Sequence, residues 1–474
     1  MAYCRGASSV FDTWANLSGN PGLAWHSILQ DFQETTKYSF QETGEPVYVN
    51  TTGFGNGPIQ VSQSSGTTGF DDPFAQALQS QFDVQQVDMT DGTGIGLDLG
   101  LSAIQAGTRV RSYARNTIGS QIIDRPNLRL VNSAWVNHIG FLNLTAVNVT
   151  YVSALDNNTY TIKSNEIIIS AGAINTPKLL MLSGVGPAAQ LSSYGIPLVS
   201  DIPAVGTGLY DHAFAVVEAE VDSDIVTFWQ VQSNSTESAM AQREYSANSS
   251  GPLGWNNGFV YAAFRLPDSV WDGINSSHYI NMPADRPHIL VEYSTVPFKA
   301  DNRSAVTVWA SLVQPESSGT VTLSSANYLD DPLISTNFYG TPADRAAILY
   351  AYKQMRSMLQ TNNKSLHIVD EFYPGAGFST SDDDQMWSAI QNGTFSFHHP
   401  MGTVAMGQAL ERNWRIRGLN GIRVVDSSAF PSPPSCHTQS SVYAMANRAA
   451  KDIISLDNAT ATLKKNCKVN RRSI

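Results

Sequence analysis

The fold of this chain is best predicted from residues 421–453, GIRVVDSSAFPSPPSCHTQSSVYAMANRAAKDI. The first part, GIRVVD, predicts a buried strand, and the prolines after it predict an irregular loop. Apolar residues then recur every three or four positions, which predicts a helix with one buried face. A strand that leads through a loop into a helix N-terminus favours an anionic group, because the first N–H groups of a helix lack intrahelical partners.

Two histidine-containing segments accompany this pattern. Residues 395–407, FSFHHPMGTVAMG, contain His398 and His399, and His437 lies in the loop before the predicted helix. Histidine is the side chain that titrates nearest to neutral pH, so a pair in one pocket suits removal of a proton from an alcohol. The alternative interpretation is that these are ordinary histidines whose nitrogens are satisfied in polar loops.

Two other chemistries are not predicted. A metal site is disfavoured because the sequence has no HExxH motif and two adjacent histidines point in different directions on a regular element. A serine hydrolase would need a G-x-S-x-G motif, which the sequence does not contain. We therefore predict neither a bound metal nor acyl transfer.

A glycine-rich segment at residues 91–100, DGTGIGLDLG, is a weak match to a dinucleotide-binding loop. Gly92, Gly94 and Gly96 fit the start of the pattern, but the third required glycine is replaced by leucine. The preceding residues are also too polar for a central strand. We predict a flexible loop here.

The remaining elements divide into two groups. Residues 127–170 contain NLRLVNSAWVNHIGFL, LTAVNVTYVSA and TYTIKSNEIIIS, which predict a small antiparallel sheet. A short helix follows, with Thr176 as its N-cap and Pro177 at its first position. Between Phe214 and Gln391, the segments HILVEYS, VTVWASLV and GTVTLSS and the helical PADRAAILYAYKQMRSMLQ predict a sheet with helices on one face.

Composition excludes several functional classes. The chain has 474 residues, of which 42% are hydrophobic and 15% charged, and its formal net charge is -11, so a nucleic-acid partner is not predicted. Apolar runs fall short of the roughly 18–20 residues that cross a bilayer, so no membrane partner is predicted either. The three cysteines, an odd number without CxxC spacing, indicate neither a disulfide framework nor a zinc site.

Glycosylation sequons favour the secretory route. The N-x-S/T motifs are spread over almost the whole length, at Asn16, Asn50, Asn143, Asn148, Asn157, Asn234, Asn248, Asn275, Asn302, Asn363, Asn392 and Asn458. The opening MAYCRGASSVFDTW, however, does not look like a signal peptide. We expect a secreted glycoprotein whose leader is absent from this sequence.

The combination FHHPMGTVAMG…GLNGIRVVDSSAFPSPPSCHTQSSVYAMANRAAKDI resembles the C-terminal region of glucose-methanol-choline (GMC) flavoprotein oxidoreductases, especially the aryl-alcohol oxidase-like branch. Further blocks agree in order: RPNLRLV, SAGAINTPKLLMLSGVGP, GIPLVSDIPAVGTGLYDH and GTVTLSS…DPLIS. The resemblance implies an α/β plus α+β fold, with a Rossmann-like FAD-binding domain and a substrate domain built on an antiparallel sheet flanked by helices. It implies these domains: 1–213 for FAD, with flavin-covering loops at about 20–95; 214–395 for substrate; 396–460 as a return to the FAD domain; and 461–474 as a tail.

The same resemblance implies oxidation of a primary, possibly aromatic or conjugated alcohol, with hydride passing to N5 of FAD and electrons going on to oxygen or a quinone. It implies that His399 is the base and that His437 hydrogen-bonds the substrate oxygen. His398 and Phe397 are expected on the substrate side. The implied cofactor contacts are Val136, Ala171, Gly172, Asp426, Ser427, Thr438 and Gln439.

The front of the chain departs from the family pattern. Family members begin with a strand and G-x-G-x-x-G before the block that resembles MAYCRG, so we expect the N-terminal dinucleotide-binding unit to be missing and the Rossmann-like domain to be incomplete. Two hypotheses follow. The chain is either part of a secreted FAD-dependent alcohol oxidoreductase, or an inactive or non-redox relative that does not hold FAD. Within the first, ring closure or lyase chemistry is the alternative to alcohol oxidation.

Overall fold

A computed structural model describes residues 2–39, 49–255, 258, 260–299 and 302–470, and for 457–470 the backbone alone. The α-helices are α1 Ser8–Ser18, α2 Trp25–Thr35, α3 Asp71–Phe82, α4 Ser120–Ile122, α5 Gly172–Leu182, α6 Ala188–Ser193, α7 Phe228–Ser233, α8 Ser235–Asn248, α9 Ser277–Ile280, α10 Pro342–Thr361, α11 Asp383–Asn392 and α12 Thr438–Asn470.

The strands of the described residues are β1 Ala2–Tyr3, β2 Thr36–Tyr38, β3 Ile59–Val61, β4 Gly96–Asp98, β5 Leu101–Ser102, β6 Ala134–Leu142, β7 Thr145–Ser153, β8 Thr159–Lys163, β9 Ile167–Ile169, β10 Val185–Gly186, β11 Ser200–Asp201, β12 Thr207–Leu209, β13 Ala213–Val221, β14 Tyr261–Phe264, β15 Ile289–Ser294, β16 Ala305–Leu312, β17 Gly319–Thr322, β18 Leu333–Ser335, β19 Ile368–Tyr373, β20 Thr394–Ser396 and β21 Ile422–Val424.

A seven-stranded antiparallel sheet forms the larger of two cores. Its strand order is β19-β13-β16-β15-β14-β4, and β20 also pairs with β13. Strands β15 and β16 are buried along their whole length, which explains their nearly continuous apolar sequence. Helices α3, α10 and α11 cover one face, with Phe74, Ile348 and Ile390 in the shared core. The predicted sheet with helices on one face is present, but the predicted strand GTVTLSS is not part of it, because β17 lies in the separate sheet β12-β17-β18.

A second core surrounds the short parallel pair of β9 and β21, in which Ile167 lies opposite Ile422. Helices α1, α2, α5 and α12 contribute Phe11, Phe32, Leu180 and other apolar side chains to this core. Helix α12 is held on α2 by an ion pair between Arg448 and the fully buried Asp31, at 2.6 Å. The predicted strand–loop–helix order of residues 421–453 is confirmed.

The antiparallel sheet predicted between residues 127 and 170 is also present, as β6-β7-β8. The segment NLRLV, however, is not a strand, and EIIIS does not belong to this sheet, because β9 pairs in parallel with β21. Two pairings cross the domain boundaries drawn from the sequence: β4 joins the large sheet through β14, and β12 pairs with β17. Helix α12 extends to Asn470, so it includes most of the segment expected to be a tail, and residues 471–474 lie outside the described residues.

Helix α5 begins earlier than predicted. Thr176 and Pro177 lie inside the helix, which starts at Gly172. Proline cannot donate the N–H that would normally bond the carbonyl of Ala173 four residues earlier. The hydroxyl of Thr403 donates to that carbonyl instead, at 2.7 Å. A side chain distant in sequence thus compensates the helix for its proline, and a prediction from local sequence could not include it.

The prediction of a flexible loop at residues 91–100 is wrong for its centre, whereas residues 91–95 and 99–100 lie outside regular strands and helices. Residues Gly96–Asp98 form β4, which pairs with β14. The carboxylate of Asp98 is buried and accepts the N–H groups of Met89 and Gly100, at 2.8 and 2.7 Å. The glycines here allow backbone conformations, such as φ 146° at Gly96, that other residues rarely adopt.

Within the described ranges, none of the helices combines the length and apolar character that a bilayer crossing needs.

Asp98 gives a test of this strand. Burial raises the pKa of Asp98 to about 7, against the lowering effect of the Met89 and Gly100 N–H groups. The folded protein therefore holds a proton between pH 4 and 7 that the unfolded chain, with its ordinary aspartate, has released. The free energy of unfolding should fall with rising pH in this window, by up to about 1.4 kcal/mol per pH unit. Urea titrations of wild type and Asp98→Asn should show this slope in their difference, and parallel curves would contradict it.

Candidate functional site

The centre of the site is an irregularity in the pairing between β13 and the chain that follows β20. Ala213 lies opposite Ser396, and Tyr210 bridges Met401. Between these two pairs, residues 397–400 face only residues 211–212. This is a bulge, a feature common beside active sites because it redirects side chains. Asp211 fixes it: one carboxylate oxygen accepts the N–H of His399 at 3.0 Å, and the other accepts the Ser396 hydroxyl.

Four rings meet at this bulge. Phe397 and His399 stack at an interplanar angle of 9°, with their centroids 4.9 Å apart. His437 approaches edge-on, 5.2 Å from His399 and 5.0 Å from Phe397. His212, which is 1% exposed, lies on another side of His399, with 3.1 Å between their Nδ1 atoms. The structure thus brings together the two histidines that the sequence singled out as a pair.

Burial lowers the pKa of His399 well below its ordinary value, and the neighbouring His212 and His437 lower it further. Burial likewise lowers the pKa of His212 to about 3. Both imidazoles are therefore neutral near physiological pH. A neutral imidazole has one nitrogen lone pair free to take a proton, which is what a general base requires.

His437 lies in the loop immediately before α12. Its Nε2 donates to the Oε1 atom of Glu292, on β15, at 2.7 Å, and the two side chains are 11% and 10% exposed. The backbone N–H of His437 donates to Sγ of Cys4 at 3.2 Å. With Nε2 engaged by Glu292, Nδ1 is the nitrogen that remains for a substrate.

The opposite side of the site is formed by the ends of β9 and β21. Asp426 accepts from the Gly172 N–H, at 2.9 Å, and from the Thr176 hydroxyl, at 2.6 Å, through one oxygen. Its other oxygen accepts the N–H and hydroxyl of Ser428, at 2.8 and 2.5 Å. Asp426 therefore shapes the turn at Ala171–Gly172 from within the protein. Ser427 donates from its hydroxyl to the Pro400 carbonyl at 3.0 Å, which joins this turn to the bulge.

Two family models, each described as GMC oxidoreductase, match residues 1–214 and 315–446. The chain belongs to the GMC oxidoreductase family. The glucose-methanol-choline family oxidoreductase mfmG of Annulohypoxylon moriforme is 29% identical over 96% of this chain and 78% of that protein. An FAD-dependent oxidoreductase from Chaetomium thermophilum has the same fold, with a TM-score of 0.87, 24% identity and coverage of 97% and 85% of the two chains. A fungal aryl-alcohol oxidase matches with a TM-score of 0.83, 23% identity and coverage of 96% and 84%.

These matches confirm the predicted mixed α/β fold and FAD as the cofactor of this GMC oxidoreductase. The match to the N-terminal model begins at residue 1, so it does not support the expectation that the chain lacks the family's N-terminal unit.

The first turn of α12 and the turn at Ala171–Gly172 fit a bound flavin. Thr438 and Gln439 form the first turn of α12, whose N–H groups have no intrahelical partners. In the same turn Ser441 is fully buried, and among the described residues its Oγ has no hydrogen-bond partner. Across the site, the turn at Ala171–Gly172 borders open space, since a Cβ built on Gly172 meets nothing within 4 Å. Helix N–H donors and an open turn suit the carbonyl groups and anionic charge of a flavin.

The other residues predicted from the GMC resemblance lie in different places. Phe397 is in the ring cluster. His398 is exposed and has a φ of 57°, and the ring contacts found in the described residues do not include it. Val136 is 42% exposed on β6, opposite Tyr151 of β7. The roles of His398 as a substrate contact and of Val136 as an adenine contact stay predictions.

Sequence reasoning missed three contributors to the site. Glu292 lies within the apolar strand β15, where a single polar residue carries no distinctive spacing. His212 is the last residue of the family block GIPLVSDIPAVGTGLYDH, and that position was the signal that could have indicated it. Cys4 and Cys436 form a disulfide across 432 residues, which the count of three cysteines did not indicate. The signal that could have suggested this pair is positional, because Cys4 lies in one family block and Cys436 directly precedes His437.

The disulfide predicts a measurable contribution to stability. Because the bridge closes a very long loop and constrains the unfolded chain, Cys4→Ser or Cys436→Ser should lower the free energy of unfolding by about 2–5 kcal/mol. Denaturant titration measures this change. Cys467→Ser is the matched control and should leave the value unchanged. Free thiols at positions 4 and 436 in a non-reduced peptide map would contradict the pairing.

Proposed function

We propose that this GMC oxidoreductase oxidises an alcohol to a carbonyl compound, with His399 as the base that takes the hydroxyl proton. The observation that carries the proposal is a neutral His399 imidazole beside His437, at the start of α12. Bound FAD supplies the hydride acceptor, its N5 atom. The alcohol loses its hydroxyl proton to His399 and a hydride from the carbon that bears oxygen, which leaves the carbonyl product.

Residues of the protein accept the proton and orient the substrate. His399 accepts the proton as the O–H bond breaks, and Asp211 holds its backbone in place. The hydrogen bond from Nε2 of His437 to Glu292 orients this ring and leaves Nδ1 as the atom that hydrogen-bonds the hydroxyl group of the substrate. The buried setting of the rings strengthens both contacts, because fewer water molecules compete for them.

We propose a primary aromatic or conjugated alcohol as the substrate. Phe397 is backed by Phe214 and Trp309, whose centroids lie 4.9 and 5.8 Å from its own. Aromatic side chains favour a planar substrate through offset or edge-on stacking. The structural likeness to an aryl-alcohol oxidase supports the same class. Oxygen or a quinone is the proposed final electron acceptor.

Replacement of His399 tests the function. His399→Ala should retain FAD but reduce its flavin about 10²–10⁴-fold more slowly with an alcohol, since the proton then has no acceptor in the site. Anaerobic stopped-flow absorbance measures the rate, and the flavin spectrum reports occupancy. His26→Ala, at an exposed position on α2, is the control and should match wild type. An unchanged rate would remove His399 as the base, and a wild-type protein that binds no flavin would contradict alcohol oxidation.

We also propose that the protein is secreted and N-glycosylated. The Cys4–Cys436 disulfide supports this, because such bridges persist in oxidising compartments. So does the exposure of most sequon asparagines: Asn16, Asn143, Asn157, Asn234, Asn248, Asn275, Asn302, Asn363 and Asn392.

Protein purified from its natural source tests this localisation. Treatment with a peptide N-glycosidase should lower its mass, and the released sites should appear as aspartate in a peptide map. A mass that the enzyme leaves unchanged would contradict N-glycosylation.

A further inference from the structure

His212 is a buried histidine for which the proposed oxidation gives no chemical step. It lies between Asp211 and the start of β13, and it is 1% exposed. Its Nδ1 atom is 3.1 Å from Nδ1 of His399, and the two rings meet at 89°. The contact is a hydrogen bond between two imidazoles, so one ring must donate and the other must accept.

The two possible arrangements have opposite consequences for His399. A neutral imidazole carries one N–H and one lone pair. If His212 donates from Nδ1, then His399 accepts at Nδ1 and carries its proton on Nε2, which cannot act as a base. If His399 donates from Nδ1, its Nε2 keeps the lone pair and can take a proton from the substrate.

The contact and the proposed function together select the second arrangement. Nδ1 of His399 lies 3.1 Å from Nδ1 of His212, so Nε2 is the nitrogen of His399 that remains for a substrate. That nitrogen can accept a proton only if Nδ1 carries the N–H. His212 then accepts at its Nδ1 and carries its own proton on Nε2, which is buried and, among the described residues, has no hydrogen-bond partner. The backbone groups of Pro434 and Val313 favour protonation of this ring.

We propose that His212 is a positioning residue that holds His399 as the Nδ1–H tautomer, with Nε2 free to accept the substrate proton. This inference rests on the proposed function, because it assigns the atom of His399 that acts as base. The arrangement resembles the orientation of a base by a carboxylate in hydrolytic triads, with a neutral imidazole in place of the carboxylate. Asp211 adds the second restraint, since it holds the backbone of His399 while His212 holds its ring.

Nitrogen-detected NMR of protein labelled with ¹⁵N-histidine tests the tautomer directly. The signals of His399 are those lost in His399→Gln. In wild type we expect a protonated, pyrrole-type Nδ1 and an unprotonated, pyridine-type Nε2. The reverse pattern, with the proton on Nε2, would overturn the proposal without any need for a His212 variant.

Two variants at position 212 separate orientation from packing. His212→Asn keeps an acceptor oxygen near the place of Nδ1, whereas His212→Leu keeps the volume and removes the acceptor. We expect the His399 pattern to persist in the asparagine variant and to change in the leucine variant. Flavin reduction by an alcohol should slow about 10–100-fold in the leucine variant, as for other residues that orient a functional histidine, and only severalfold in the asparagine variant. Equal losses in both variants, with an unchanged His399 spectrum, would overturn the proposal in favour of packing.

The two proposals fail in different experiments. If alcohols do not reduce the flavin of wild type while His399 shows the Nδ1–H pattern, alcohol oxidation is wrong and the tautomer assignment stands. If wild type reduces its flavin and His399 carries its proton on Nε2, the role of His212 is wrong and alcohol oxidation stands.

Discussion

Two segments of the chain are paired at Tyr210–Met401 and again at Ala213–Ser396. Between these pairs the first segment has two residues, 211–212, and the second has four, 397–400. This mismatch in register places His399 beside His212. A regular antiparallel ladder would alternate the side chains of residues 397–400 between the two faces of the sheet. The bulge breaks that alternation, and Asp211 stabilises it by accepting from both ends. The chemistry of the site therefore depends on backbone pairing before it depends on any ionisable group.

The site lies where the two cores meet, and each supplies a different part. The large sheet contributes Glu292 and His212, which engage one nitrogen of His437 and of His399 respectively. The core around β9 and β21 contributes the turn at Ala171–Gly172 and the start of α12. A substrate held between these parts would meet the ring cluster on one side and the helix N-terminus on the other. This division suits a reaction that sends a proton and a hydride to different acceptors.

Much of the fold could be predicted from sequence periodicity, because α10, α12 and the strands of the large sheet bury continuous apolar faces. His399 and His437 could also be identified from the sequence, since both lie in segments with distinctive neighbours. The start of α5 could not be predicted, because Thr403 supplies the hydrogen bond that its proline removes. Strand β4 could not be predicted because its segment is rich in glycine. His212 and Glu292, the partners of His399 and His437, come close to these histidines only through strand pairing. These features depend on contacts between residues far apart in sequence.

The hydrogen bond from Thr403 to the Ala173 carbonyl also affects how the protein moves. Thr403 lies four residues after His399, and Gly402 bonds the carbonyl of Ser427 at 3.0 Å. The segment that follows His399 is thus bonded both to the first turn of α5 and to the turn after β21. It cannot open without breaking both sets of bonds, so these elements form one cooperative unit of local unfolding. Slow exchange of backbone amides would then extend from the segment after His399 across to the turns at Ala171–Gly172 and Asp426–Ser428.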